Sequence, residues 1–269
     1  MKKTIAKIFI LLLLASCGFT SGLYEDILKA QELTRQHKFK QADKLYKNII
    51  AKKPSLNVKI KVYFQLGEIN SVFLNKPKEA INYYNKVIDI SSDPLWHVKS
   101  IEKIAYINFE NLKNYDNAIK SYNKLINFIP HLERYSEYKF SVAESYFLKR
   151  DFKKALKLFE GFKDNSKFYE TYKYIGLVHF YRSQWKLAID NWFEYLKREK
   201  QKNKIVQVKF LIANAYESDE QLKNAYNIYY SLLGDYPNQE VLKSRLKSIY
   251  ERRVARKRWM QRILPLSWP

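Results

Sequence analysis

Cysteine occurs once in this 269-residue chain, at Cys17; glycine occurs six times, proline seven and histidine four. A single cysteine excludes a disulfide within the chain. So few chain breakers exclude a fold rich in tight turns. With 46% apolar residues recurring at helical spacing, the scarcity points to an all-α protein. The histidines, His37, His97, His131 and His179, are scattered and show no His-x-x-x-His spacing. There is no glycine-rich phosphate loop and no serine elbow. No catalytic residue, metal ligand or cofactor site is therefore expected, and the chain reads as a non-enzyme. Acidic residues are scarce too: 27 stand against 49 Lys and Arg, a net charge of +22. That sign suits nucleic acid, an anionic membrane surface, or a lysine-rich composition in which lysines merely solvate helix faces.

At the N-terminus, Lys2, Lys3 and Lys7 precede an apolar run from Ile8 to Ala15, closed by Leu14-Ala15-Ser16-Cys17. A basic region, a short apolar stretch and small residues before a cut describe a secretory signal, and the run is short for a membrane span. The tetrad resembles the lipobox of bacterial lipoproteins. That resemblance implies a signal peptide over 1–16, cleavage before Cys17 and acylation, palmitate included, of the new N-terminal cysteine. Residues 17–22 would then be a lipidated cysteine with a short tether. A plain signal peptide or an unprocessed apolar helix are the alternatives. Gly18 is not the aspartate that retains lipoproteins in the inner membrane of enteric bacteria. The expected location is therefore the cell envelope, at the outer membrane facing the periplasm. Export also argues against a nucleic-acid partner.

From residue 23 to 237 one pattern recurs. In residues 137–162, Ala143 is followed by Tyr146, Phe152, Ala155, Phe159 and Phe162, with a break near Lys149-Arg150-Asp151: two helices and a turn. The second-helix alanines Ala42, Ala80, Ala118, Ala155, Ala188 and Ala225 stand 38, 38, 37, 33 and 37 residues apart. Six such units in phase resemble the tetratricopeptide repeat, which implies a superhelical solenoid of helix-turn-helix units closed by a C-terminal capping helix. Gly67, Ala143, Gly176 and Ala213 are the expected small residues of the first helices. Aligned on Ala118, the third unit places Tyr106 where a small residue belongs. The second unit carries one extra residue, assigned to its Asn75-Lys76-Pro77 turn, and proline is missing after units four and five.

In the repeat family, partners lie along the first helices. Carried onto this chain, the groove residues are Phe64, Glu68, Lys103, Glu110, Phe140, Glu144, Phe147, Lys173, Phe180, Phe210, Asn214 and Glu217. Phe140, Glu144 and Phe147 are spaced to share one helix face. Exposed rings with a few charges suit an extended or unfolded polypeptide, or a partner helix; the plain alternative is packing between repeats. The lysine–asparagine pair that clamps acidic peptide ends is absent, since Ile107 follows Lys103 and Leu177 follows Lys173.

Residues 238–269 leave the repeat. Leu242, Leu246, Ile249 and Val254 fit a capping helix. Beyond them Arg252, Arg253, Arg256, Lys257, Arg258 and Arg262 interleave with Trp259, Met260, Ile263, Leu264 and Trp268, a composition fit for a second membrane contact, an acidic partner, or a solvated helix end. A lipoprotein signal, a minimal tether and about six such repeats together resemble the outer-membrane assembly lipoprotein family BamD. That resemblance implies a periplasmic scaffold for β-barrel insertion, with N-terminal repeats handling substrate. An assembly lipoprotein of a pilus or secretion system, and a coordinator of peptidoglycan enzymes, are the alternatives. A solute-capturing lipoprotein would need a two-lobed α/β pattern, which is not present.

Overall fold

The structure, a computed structural model, describes residues 22–263. The signal segment, Cys17 and residues 264–269 lie outside the described residues. Helix α1 covers 22–35. It is followed by α2 Phe39–Ala51, α3 Leu56–Glu68, α4 Pro77–Ile90, α5 Pro94–Tyr106, α6 Tyr115–Ile126 and α7 Tyr135–Leu148. Then come α8 Phe152–Glu160, α9 Thr171–Tyr181, α10 Trp185–Leu196, α11 Lys202–Ser218, α12 Leu222–Ser231 and α13 Gln239–Ile263. No strand occurs among the described residues. Odd-numbered helices through α11 are first helices of repeats and even-numbered ones second helices. The chain forms two compact units, one ending at Ser145 and the other beginning at Tyr146.

Close approach of two helices sets the packing inside each unit. All six second-helix alanines are fully buried, and so are the first-helix residues Ala30, Ala105, Ala143 and Ala213. Two glycines show why nothing larger fits. A Cβ on Gly67 would stand 2.6 Å from Cε1 of Tyr84, and one on Gly176 would stand 2.4 Å from Nε1 of Trp192. Both rings are fully buried. Burial of a large apolar side chain contributes about 1.5–3 kcal/mol, so the bare backbone is the condition for that gain.

The third repeat departs from the register read in the sequence. Its buried small residue is Ala105, whereas Tyr106 is 59% exposed. The cause is a π-helical turn. Ile69–Phe73 extends α3 and Ile107–Asn111 extends α5 with wider turns, in which the Leu74 N–H reaches the Ile69 carbonyl and the Leu112 N–H the Ile107 carbonyl, both at 3.0 Å. Each π turn absorbs one extra residue. The second repeat's extra residue therefore sits in Ile69–Phe73, not in the Asn75-Lys76-Pro77 turn. Each widened turn holds a buried asparagine whose Nδ2 donates to the carbonyl four residues earlier: Asn70 to Leu66 and Asn108 to Ile104, both at 2.8 Å. Asn70 also donates to Asp43 at 2.8 Å, tying the turn to α2.

Every first helix ends in the same backbone conformation. His37, Asn75, Lys113, Arg150, Ser183 and Glu220 have φ of 60°, 53°, 51°, 64°, 57° and 56°. Each stands five residues before a second-helix alanine. None is glycine, although this conformation costs a residue with a Cβ about 1–2 kcal/mol. The next N–H reaches back to close the helix, as from Lys38 to Leu33 at 2.8 Å and from Gln184 to His179 at 2.9 Å. At the far end α13 buries Leu242, Leu246 and Ile249 against Ala225, Tyr229 and Leu232, and so caps α12.

Candidate functional site

In the first unit the candidate groove residues lie on α3, α5 and α7. Phe64 is half-buried, edge-on to Tyr84 and Trp96 with ring centroids 5.3 Å from each. Glu68 accepts the Tyr84 hydroxyl at 2.6 Å and pairs with Lys103 at 2.9 Å, joining repeats two and three. The π turn moves the groove positions of the third repeat by one residue. Glu102 and Phe109 take the places that the sequence reading gave to Lys103 and Glu110, and the groove position between them falls on Tyr106. Phe140 is corrected as well: it is 8% exposed and belongs to the core, while Glu144 is half-buried.

Between α5 and the start of α7 lies a cleft of about 280 Å³, lined by Glu102, Lys103, Tyr106, Tyr122, Arg134, Glu137, Tyr138 and Ser141. Glu102 organises its floor, accepting the Tyr138 hydroxyl at 2.5 Å and the Arg134 guanidinium at 3.2 Å. Burial, and then the Glu102 carboxylate, push the Tyr138 hydroxyl above its ordinary range, so it stays a neutral donor. The Arg134 guanidinium also sits 5.7 Å from the Tyr138 ring centroid. Tyr106 stands over this floor as an exposed ring.

In the second unit the candidate phenylalanines pack against neighbouring rings. Phe147 meets Phe152, Tyr174 and Tyr181 at 5.3–6.2 Å; Phe180 meets Trp185 at 5.1 Å and Trp192 at 5.8 Å; Phe210 stacks on Tyr236 at 4.3 Å. Lys173 lies 4.9 Å from the Tyr174 ring centroid, and its carbonyl accepts the Trp192 indole N–H at 3.1 Å. Asn214 accepts the Tyr229 hydroxyl, which also reaches Glu217 at 3.2 Å. Glu217 pairs with Arg252 at 3.1 Å and Arg245 at 3.5 Å; Glu220 pairs with Arg252 at 2.5 Å and Arg256 at 3.9 Å. Two of the six basic-tail residues, Arg252 and Arg256, are thus tied to the sixth repeat. Arg253 lies over the Tyr226 ring, and Lys257 and Arg258 are exposed. The side chain of Arg262 lies outside the described residues.

Sequence reasoning missed Tyr106, Arg134, Tyr138 and the buried Glu199. Glu199 accepts the Tyr195 hydroxyl at 2.6 Å, the Tyr169 hydroxyl at 3.2 Å and the backbone N–H groups of Lys200 and Gln201, each at 2.8 Å. Burial opposes its charge, but these donors prevail and hold the carboxyl at about 2. A signal for Tyr106 was present. Leu66-Gly67-Glu68-Ile69-Asn70 and Ile104-Ala105-Tyr106-Ile107-Asn108 are one pattern, which places Ala105 opposite Gly67.

Residues 60–94 and 98–131 match the tetratricopeptide repeat family profile. No curated protein matches the chain in sequence. Similar solved structures include the C-terminal part of a TPR repeat-containing protein from Cytophaga hutchinsonii, at 17% identity over 83% of this chain and 87% of that one, with a TM-score of 0.64. Another is PilW, a widely conserved type IV pilus biogenesis factor, at 14% identity over 85% and 98%, with a TM-score of 0.55. A third is MamA from Desulfovibrio magneticus RS-1, at 14% identity over 65% and 93%, with a TM-score of 0.54. At these identities the likeness is one of fold: the chain is an all-helical protein built of tetratricopeptide-type repeats.

Proposed function

We propose that this protein is a non-enzymatic scaffold that holds an extended segment of a protein partner along the first helices of its repeats, with the cleft on α5 and α7 as an anchor point. The observation that carries this reading is Tyr106. It is a large ring left 59% exposed beside a floor of charged, hydrogen-bonded groups. An exposed tyrosine near an arginine gives a partner side chain both apolar area and hydrogen bonds at low entropic cost. Lipid on Cys17 would hold the scaffold at the outer membrane, facing the periplasm. The work it serves there is the assembly of an envelope machine. Barrel insertion follows from the resemblance to the BamD family, and pilus assembly is the second reading, favoured by a fold shared with a pilus biogenesis factor along 98% of that chain.

Affinity capture of the lipidated protein from detergent-solubilised membranes separates the two. Recovery of a large β-barrel protein with other assembly subunits supports the first reading, and recovery of pilus assembly subunits the second. Tyr106→Ala is expected to reduce capture while helicity stays intact; equal capture by that variant would sink the assignment of the cleft.

A further inference from the structure

The side of α13 that caps α12 changes chemistry after Ile249. Leu242, Leu246 and Ile249 are buried along it. At 100° per residue the same side continues as Arg253, Arg256, Lys257 and Met260, and Trp259 stands about 100° round the helix from Met260. Here α13 stands beside the start of α12, and the two frame an open cleft of about 460 Å³. Its rim carries Lys223, Arg253, Arg256 and Lys257, with Glu220 as its one acid, paired to Arg256 at 3.9 Å. Lys223, Arg253 and Lys257 form no ion pair among the described residues. Trp259 is 62% exposed and Met260 45%.

Cations without a carboxylate partner, near an exposed indole and a thioether, are the composition of a helix that lies in a lipid interface. The cations face lipid phosphates and the indole sits at the headgroup boundary. An acidic polypeptide is the alternative occupant, since it would pair the same cations and cover Trp259 and Met260 with its own apolar side chains. The net charge of +22 adds long-range attraction toward an anionic surface. No described helix is long and apolar enough to cross a membrane, so the contact is one of surface docking. We propose that residues 250–261 of α13, with Lys223, dock on an anionic lipid bilayer, Trp259 and Met260 entering the headgroup region. This contact holds whether or not Cys17 carries lipid, and its failure would leave the scaffold reading untouched.

The test uses the full chain with Cys17→Ser, sedimented with vesicles of phosphatidylcholine alone or mixed with phosphatidylglycerol. The readout is the preference for anionic over neutral vesicles, a ratio in which the contribution of residues 1–21 is common to all variants. A cation near an anionic surface is worth roughly fivefold in partition. The triple variant Lys223→Gln/Arg253→Gln/Lys257→Gln is therefore expected to lose on the order of a hundredfold of that preference, with an unchanged circular dichroism spectrum. Lys257→Gln is expected to cost more than Arg258→Gln, because Arg258 lies on the opposite side of α13. Trp259→Ala is expected to weaken binding at high salt. Undiminished preference in the triple variant would overturn the proposal, as would equal losses for Lys257→Gln and Arg258→Gln. So would binding of the parent to polyglutamate with no preference for anionic vesicles, which would assign the face to an acidic protein.

Discussion

Gly176→Ala is the sharpest perturbation of the packing between paired helices. Alanine is the better helix former by about 1 kcal/mol, so propensity alone favours the change. The structure opposes it. The new methyl would stand 2.4 Å from Nε1 and 2.5 Å from Cδ1 of Trp192, a fully buried ring that has no open space to enter. Overpacking of this kind costs about 1–3 kcal/mol. Shifting the ring also stretches its 3.1 Å hydrogen bond to the Lys173 carbonyl, worth about 1 kcal/mol more. The net expectation is a loss of about 1–3 kcal/mol, or a fall in melting temperature of roughly 3–10 °C. Gly161→Ala is the internal control, since its methyl would meet only the Leu158 carbonyl oxygen at 3.4 Å, an ordinary contact. Thermal and urea melts of both variants by far-ultraviolet circular dichroism decide the matter. If Gly176→Ala melts at or above the parent, or if both variants shift alike, the argument for close helix approach fails.

Ser183→Gly is expected to stabilise by up to about 1 kcal/mol, because the φ of 57° at this position is strained for serine and free for glycine; a lower midpoint in urea would contradict it. Glu199→Gln removes the charge and replaces one carboxylate oxygen by an amide NH2, so that either the two tyrosine hydroxyls on Oε2 or the two backbone N–H groups on Oε1 lose their acceptor; it is expected to cost about 1–3 kcal/mol at neutral pH. The sign of its pH dependence follows from a carboxyl held at about 2 against an ordinary value of 4.5. Its stabilisation is complete above the ordinary value and is lost as pH falls toward 2, so the variant should lose less stability than the parent between those pH values.

The repeat was legible because its physics is periodic. Ala42, Ala80, Ala118, Ala155, Ala188 and Ala225 mark the close approaches directly, and Gly67 and Gly176 face the largest buried rings. The register of the third repeat was not legible from the alanines alone. A π turn adds a residue without adding a breaker, and only the shared Ile-Asn after the small residue betrays it. The left-handed helix ends were hidden for a related reason, since His37, Lys113 and Arg150 occupy a conformation usually signalled by glycine. The candidate site was read less well. Family positions give the direction of a side chain but not what else packs there, so Phe140 read as a groove ring while the structure buries it, and Phe147, Phe180 and Phe210, which stay half-buried, also make ring-to-ring contacts. Glu102, Arg134 and Tyr138 come from two repeats and meet only when the chain folds, which no local motif records. Cys17, the signal segment and the end of the tail lie outside the described residues.

The central claim is that a protein partner lies on the first helices at the α5–α7 cleft. A photo-crosslinking residue placed at Tyr106 of the otherwise intact chain tests it most directly, with Tyr230, equally exposed at 60% but on the second helix of the sixth repeat, as the comparison. The account predicts one or a few discrete protein adducts from position 106 that weaken when Arg134→Ala is added, and none of the same mass from position 230. Identical adducts from both positions, or none from position 106, would contradict it.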